Sequence, residues 1–140
     1  MEKYLGRLSG PLLDRIDLHI EVPSVQYAEL SKLTDGTSSA TMRASVDKAR
    51  AVQAARFGKR SNCVNSRMTP REMRKYAAPD AGGRSLLQTA MDSLGLSARA
   101  HDRILKVART IADLEGSENL LENHISEAIN YRTLDRNYWA

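Results

Sequence analysis

The chain has 140 residues, 41% apolar and 27% charged, the scale of one ordinary domain or of a small domain with an arm. Lys and Arg outnumber Asp and Glu by 21 to 17, a net charge of +4. That mild balance excludes the dense basic stripe of a dedicated DNA-binding module but not a nucleic-acid partner. A single Phe and a single Trp leave the core to Leu, Ile, Val, Ala and Met, which favours helices over a β-sandwich.

In chain order, Pro11 after Ser9-Gly10 can open a short helical turn. Ile16, Leu18, Ile20 and Val22 then alternate with Asp17, His19 and Glu21, the period of a β-strand with one apolar face, and Pro23 ends it. A lone strand needs a ladder for its backbone groups, and no second strand of this quality follows. Residues 1–23 therefore read as the last strand of a larger sheet whose other strands lie upstream, and as an arm poorly ordered in isolation. A short helix is predicted over Tyr27–Leu33, then a Gly- and Ser-containing loop, then a helix over Thr41–Phe57. In that helix Val46, Ala49, Arg50, Val52, Gln53 and Arg56 recur at helical spacing, with basic residues on the outer face. Residues 58–68 read as a polar loop.

Thr69-Pro70-Arg71-Glu72 carries the cap, the proline and the acidic third position of a helix start, and Pro79 follows that helix closely. Asp80 can cap a helix over about 82–94 with Leu86, Leu87, Ala90, Met91 and Leu94 on one face. Ser97 caps a long helix reaching Glu115, with Ile104, Leu105, Ala108, Ile111 and Ala112 inward, and Gly95 and Gly116 are stop signals. A last helix is predicted over about Glu122–Arg132, with Leu121, Ile125, Ala128 and Ile129 inward. The expected fold class is mainly α, a helical bundle with short connections preceded by one remnant β-strand.

Several chemistries have no residues to carry them. The phosphate loop G-x-x-x-x-G-K-[ST] does not occur; Gly82-Gly83-Arg84-Ser85 lacks its lysine, its spacing and a preceding strand. His19, His101 and His124 have no metal-ligand spacing, so no metal site is expected. Cys63 is the only cysteine, so no disulfide closes within the chain; a cytoplasmic setting is expected, and Cys63 reads as a passive loop thiol. No apolar run spans a membrane and residues 1–7 lack the apolar stretch of a signal peptide, so no membrane partner is expected.

The stretch Leu8-Ser9-Gly10-Pro11-Leu12-Leu13-Asp14-Arg15-Ile16-Asp17-Leu18 resembles the arginine-finger segment of the magnesium-chelatase and MCM-like branch of AAA+ ATPases. Residues 94–114, from Leu94-Gly95-Leu96-Ser97-Ala98-Arg99 to Ile111-Ala112-Asp113-Leu114, resemble the sensor-2 helix of the magnesium chelatase-like proteins of the competence protein ComM group. His124-Ile125-Ser126-Glu127-Ala128-Ile129-Asn130-Tyr131-Arg132 fits the same group. The resemblance covers nearly the whole chain and matches the C-terminal part of the family. It implies that residues 1–23 end the AAA+ α/β core and that residues 24–140 form the helical lid.

What the resemblance implies for function is residue-specific. Arg15 aligns with the arginine finger, which reaches the γ-phosphate of ATP held by a neighbouring subunit; an arginine's planar, always-charged fork suits that task. Spacing alone favours reading Arg15 as a surface arginine paired with Asp14 or Asp17, and the resemblance reverses that preference. Arg99 aligns with the sensor-2 arginine, in the first turn of its helix, where a modest anion preference helps; without the resemblance it reads as a solvated helix residue. Arg103, Lys106 and Arg109 share much of one helix face with Arg99. They read either as a solvated face, with Arg109 reaching Asp113 at i,i+4, or as a DNA-facing or subunit surface. Arg43, Lys48, Arg50, Arg56, Lys59 and Arg60 form a second basic concentration with the same alternatives.

ATP and Mg²⁺ are the cofactors implied for the parent ATPase, with the phosphate loop and magnesium-holding acidic motif upstream of residue 1. This fragment is expected to bind neither stably and not to act as an enzyme alone. The implied partners are the rest of the AAA+ core, identical subunits in a ring, and DNA as the client of a ComM-like helicase in recombination. Two alternatives stay open: the lid of a chelatase subunit that drives magnesium into a porphyrin, and a stand-alone helical binding module without an ATP role.

Overall fold

A computed structural model of the chain describes residues 10–13, 15–25, 36–60 and 62–132. The predicted helix over Tyr27–Leu33 lies outside these residues. The described elements are α1 (Gly10–Leu13), α2 (Ser39–Phe57), α3 (Pro70–Tyr76), α4 (Ala81–Leu94), α5 (Ala98–Glu115) and α6 (Glu122–Asn130). Two 3₁₀ turns, Gly58–Arg60 and Asn65–Arg67, lie between α2 and α3. The architecture is a helical bundle, and among the described residues there is no strand.

The helix starts follow the sequence. Ser38, Thr69, Asp80 and Ser97 each accept, through a side-chain oxygen, from the third backbone N–H of the helix that follows. At α3 the box is reciprocal: the Glu72 carboxylate accepts from the Thr69 N–H at 2.8 Å. Those bonds from the Thr69 backbone, then from its hydroxyl, hold the Glu72 carboxyl below the ordinary glutamate range. The folded state therefore favours the ionised form, and the contribution fades as pH falls through the lowered pKa. Gly116 ends α5 at φ 76°, a conformation other residues adopt only under strain.

α5 is the central element. Ala100, Ile104, Leu105, Ala108 and Ala112 are buried along it, and it packs on α2, α3, α6 and the second 3₁₀ turn. Its alanines have no side-chain bulk, which lets Ile125, Ala128 and Ile129 of α6 close on it. α4 packs on the other side of α6 through Gly83, Leu87 and Ala90. The glycine pair at its start permits that approach: a Cβ on Gly83 would stand 3.1 Å from Ile125 Cγ1 and 3.1 Å from Pro79 Cβ, and one on Gly82 would collide with the Glu122 carboxylate. Asp80 N–H donates to the Leu120 carbonyl at 2.9 Å, joining the entries of α4 and α6.

Three expectations change. Residues 16–22 form no strand; their backbone has no neighbouring strand among the described residues. Ile16, Leu18, Ile20 and Val22 are exposed, while the alternate His19 is buried. The inward stripe of α2 is Ala49, Gln53 and Phe57, not Val46 and Val52, which stay exposed; residues 39–48 are exposed throughout. In α6 the inward residue next to Ile125 is His124, fully buried, while Leu121 stays largely exposed. His124 Nδ1 accepts from the Leu121 N–H at 3.0 Å and Nε2 donates to Glu115 at 2.5 Å, which sets its tautomer.

The polar loop at 58–68 is the least expected part, because it sends Asn65 into the core. Asn65 Nδ2 donates to Asp113 at 2.8 Å and its backbone N–H donates to Gln53 at 3.2 Å. The Asp113 side chain is fully buried between two guanidiniums. Arg56 of α2 grips both its oxygens, one at 2.7 Å, and Arg109 Nε donates at 3.0 Å. Arg109 also donates to the carbonyls of Ser117 and Glu118, tying down the turn before α6. Burial pushes the Arg109 pKa down from its ordinary value, opposed chiefly by Asp113.

Removing the carboxylate strands the buried Arg109 and takes the partner from the partly buried Arg56, so Asp113→Ala is expected to cost about 3–5 kcal/mol in urea denaturation. The exposed Arg60–Glu72 pair supplies the contrast: Arg60→Ala should cost no more than about 1 kcal/mol.

Candidate functional site

The basic residues singled out on α5 divide between two environments. Arg99, Arg103 and Lys106 line a groove of about 680 Å³ together with Asp17, Leu18, Ser66, Val107 and Tyr131, among others. Arg109 does not join them. It is 3% exposed and committed to Asp113, Ser117 and Glu118, so it presents no charge to an outside ligand. Arg109 thus makes the expected i,i+4 pair with Asp113, but inside the core rather than on a solvated or DNA-facing surface. The i,i+4 spacing to Asp113 was legible, but the burial was not. It follows from Arg56 and Asn65 arriving from distant sequence, at a site that spacing along α5 cannot reveal.

Arg99 is exposed, two residues after the Ser97 cap. Ser97 Oγ takes the Ala100 N–H at 3.1 Å, while the first N–H groups of α5 point out of the helix end and add to the positive potential there. Arg103 lies one turn further on the same face, and Lys106 Nζ donates to the Ser66 carbonyl at 3.0 Å. Three cations and three carboxylates, Asp17, Asp102 and Glu127, share the groove with the apolar Val107, Ile111 and Leu114, so its lining is of mixed charge. Tyr131 stands at the groove beside Glu127, whose charge and hydrogen bond hold the phenol above its ordinary pKa.

Arg15 is exposed and is not among the groove-lining residues. Its N–H donates to the Leu12 carbonyl at 3.0 Å, closing a turn against α1, whose Leu13 is buried. The alternative pairing of Arg15 with Asp17 is not what forms: Asp17 pairs with Arg103. Asp14 lies outside the described residues. The basic concentration around α2 also splits, with Arg56 drawn into the Asp113 network and Arg60 paired to Glu72. Among the described residues no group of three His, Cys, Asp or Glu is placed to hold a metal ion, and no helix is long and apolar enough to cross a membrane.

The chain belongs to the magnesium chelatase subunit ChlI C-terminal family, whose profile matches residues 36–132. The magnesium chelatase subunit ChlI profile matches residues 1–30. Over 135 residues, 96% of the chain, it is 45% identical to competence protein ComM of Haemophilus influenzae and 42% identical to the uncharacterized protein YifB of Escherichia coli. A Mycobacterium tuberculosis relative is 34% identical over 130 residues, 93% of the chain. The chain spans 26% of the length of each of these relatives.

The division of α5 has a direct consequence for stability. Arg99→Ala should change the unfolding free energy by no more than about 0.5 kcal/mol, as an exposed residue committed to no core contact. Arg109→Ala should cost about 3 kcal/mol or more, as one partner of a buried pair. Denaturant titration of the two variants checks both values.

Proposed function

We propose that this chain is the helical lid, with the end of the α/β core, of an AAA+ ATPase subunit that works in a ring and remodels DNA. In this reading Arg15 is the arginine finger toward the neighbouring subunit's nucleotide, and Arg99 is the sensor-2 arginine. The observation that carries it is the exposed Arg99 at the start of α5, on a groove wall it shares with Arg103 and Lys106. Membership of the chelatase C-terminal family and the likeness to a competence protein support the wider assignment.

Arg99, exposed at the start of α5, can donate to phosphate oxygens, while Asp17, Asp102 and Glu127 balance the charge of the groove it lines; no acidic cluster among the described residues fits Mg²⁺. ATP and Mg²⁺ would therefore be held mainly by the rest of the parent chain. When bound, ATP supplies the phosphoanhydride that water cleaves to ADP and phosphate. Arg99 donates to phosphate oxygens from a fixed helix end and reports their presence to the lid. Arg15 offers a planar charged fork to the oxygens on which charge spreads, an effect worth roughly 10³–10⁵ in rate in other phosphoryl-transfer enzymes. This chain alone is not an ATPase in this reading. The exposed row Ile16, Leu18, Ile20 and Val22 supports a sheet partner in the parent chain.

The family description supports a second client, a porphyrin receiving magnesium. Steady-state ATP hydrolysis by the complete parent chain separates the readings. Arg15→Ala and Arg99→Ala, each folded by circular dichroism, should lower hydrolysis by about two or more decades. Stimulation of the wild type by single-stranded DNA selects the DNA client; stimulation by porphyrin without a DNA response selects the chelatase. Unchanged hydrolysis in both variants removes the finger and sensor assignments and leaves a helical binding module.

A further inference from the structure

The arm that carries Arg15 does not lie free of the bundle. The buried Arg132 guanidinium donates to the Ile16 carbonyl. His19 N–H donates to the Tyr131 carbonyl at 2.8 Å. Both contacts fasten residues 16–19 to the end of α6. Between them, the Asp17 carboxylate pairs with Arg103, which extends the fastening to α5. Arg103 follows Arg99 by one helical turn, so both guanidiniums leave α5 on the same face.

We propose that Asp17 is a positioning residue: held by Arg103, it fastens the arm bearing Arg15 to the helix bearing Arg99, so that the two arginines are displaced together. The inference rests on the roles given to those arginines above, but the coupling itself is a property of this chain. A finger on the α/β core and a sensor on the lid would otherwise answer to nucleotide separately. Here the arm's backbone is held on the lid.

The charge arrangement makes Asp17 an effective point of control. Arg99, Arg103 and Lys106 line the groove together, so a carboxylate inserted among them offsets like-charge repulsion. Asp102 and Glu127 also line it, but Asp17 is the acid that belongs to the arm. The pair is half-open to solvent, with side chains 28% and 54% exposed for Arg103 and Asp17. Such a pair is weak and salt-screened, unlike the buried Arg132 anchor. Its loss should therefore loosen the arm without unfolding the bundle.

The test reads the arm directly, by amide hydrogen exchange of His19 in the 140-residue chain at low salt. Asp17→Asn and Arg103→Gln should each speed that exchange about fivefold, the effect of one exposed ion pair. The charge-swapped double variant, Asp17→Arg with Arg103→Asp, should return it toward wild type. Exchange in the buried half of α5 should not change. In the complete parent, Asp17→Asn should lower kcat for ATP hydrolysis about tenfold with KM little altered, and the swap should recover it. Unaltered His19 exchange in both single variants overturns the coupling, whatever Arg15 does. Faster exchange with wild-type kcat in Asp17→Asn overturns the positioning role. Unchanged hydrolysis in Arg15→Ala overturns the finger reading instead, and the exchange result stands apart from it.

Discussion

A single buried carboxylate holds this bundle to one arrangement. Asp113 sits between Arg56 from α2 and Arg109 from its own helix, with Asn65 as a third donor. Each group is too costly to bury alone, so the set is stable only when all its members arrive together. That requirement fixes the register of α2 against α5, draws the loop after α2 inward, and through Arg109 shapes the turn into α6. The apolar contacts around Ala108 and Ala112 supply the drive to collapse, but they are small and permissive. The polar set supplies the geometry.

α5 keeps one face in the core along its length, from Ala100 through Ile104 and Ala108 to Ala112. Arg99 and Arg103 stand on the side where the helix meets a groove rather than the core. One helix thus serves as core element on one face and as groove wall on the other. The same division of faces explains why Arg103 and Lys106 line the groove while Arg109, further along, is buried. Successive turns of a straight helix drift around its axis, and Arg109 has passed the boundary from groove to core.

Much of the fold was legible because its signals are local. Caps at Thr69, Asp80 and Ser97, and stops at Gly95 and Gly116, need only their immediate neighbours. The apolar faces of α4 and α5 were readable for the same reason. Val46 and Val52 misled because α2 extends beyond the bundle, so apolar spacing met no partner. Asn65, Arg56 and His124 were missed because their burial depends on partners far along the chain, and polar residues carry no periodic sign of being inside. The alternation at 16–22 misled in the same way as Val46 and Val52, because no neighbouring strand among the described residues supplies a ladder. The roles proposed for Arg15 and Arg99 rest on family resemblance, since neither residue has a local feature that separates it from an ordinary surface arginine.

The placing of Asp113 near one end of α5 and Arg99 near the other gives the helix a mechanical meaning. At 1.5 Å per residue, the two are separated by about 21 Å of stiff rod. With one face of that rod buried from Ala100 to Ala112, it is held along its length and moves as one body. A rotation of only about 5° about the Asp113 end would carry the Arg99 end through about 2 Å, which is enough to make or break a hydrogen bond. A repacking of the bundle around α5 and a change at the groove would then be the same event, read at two points on one rod.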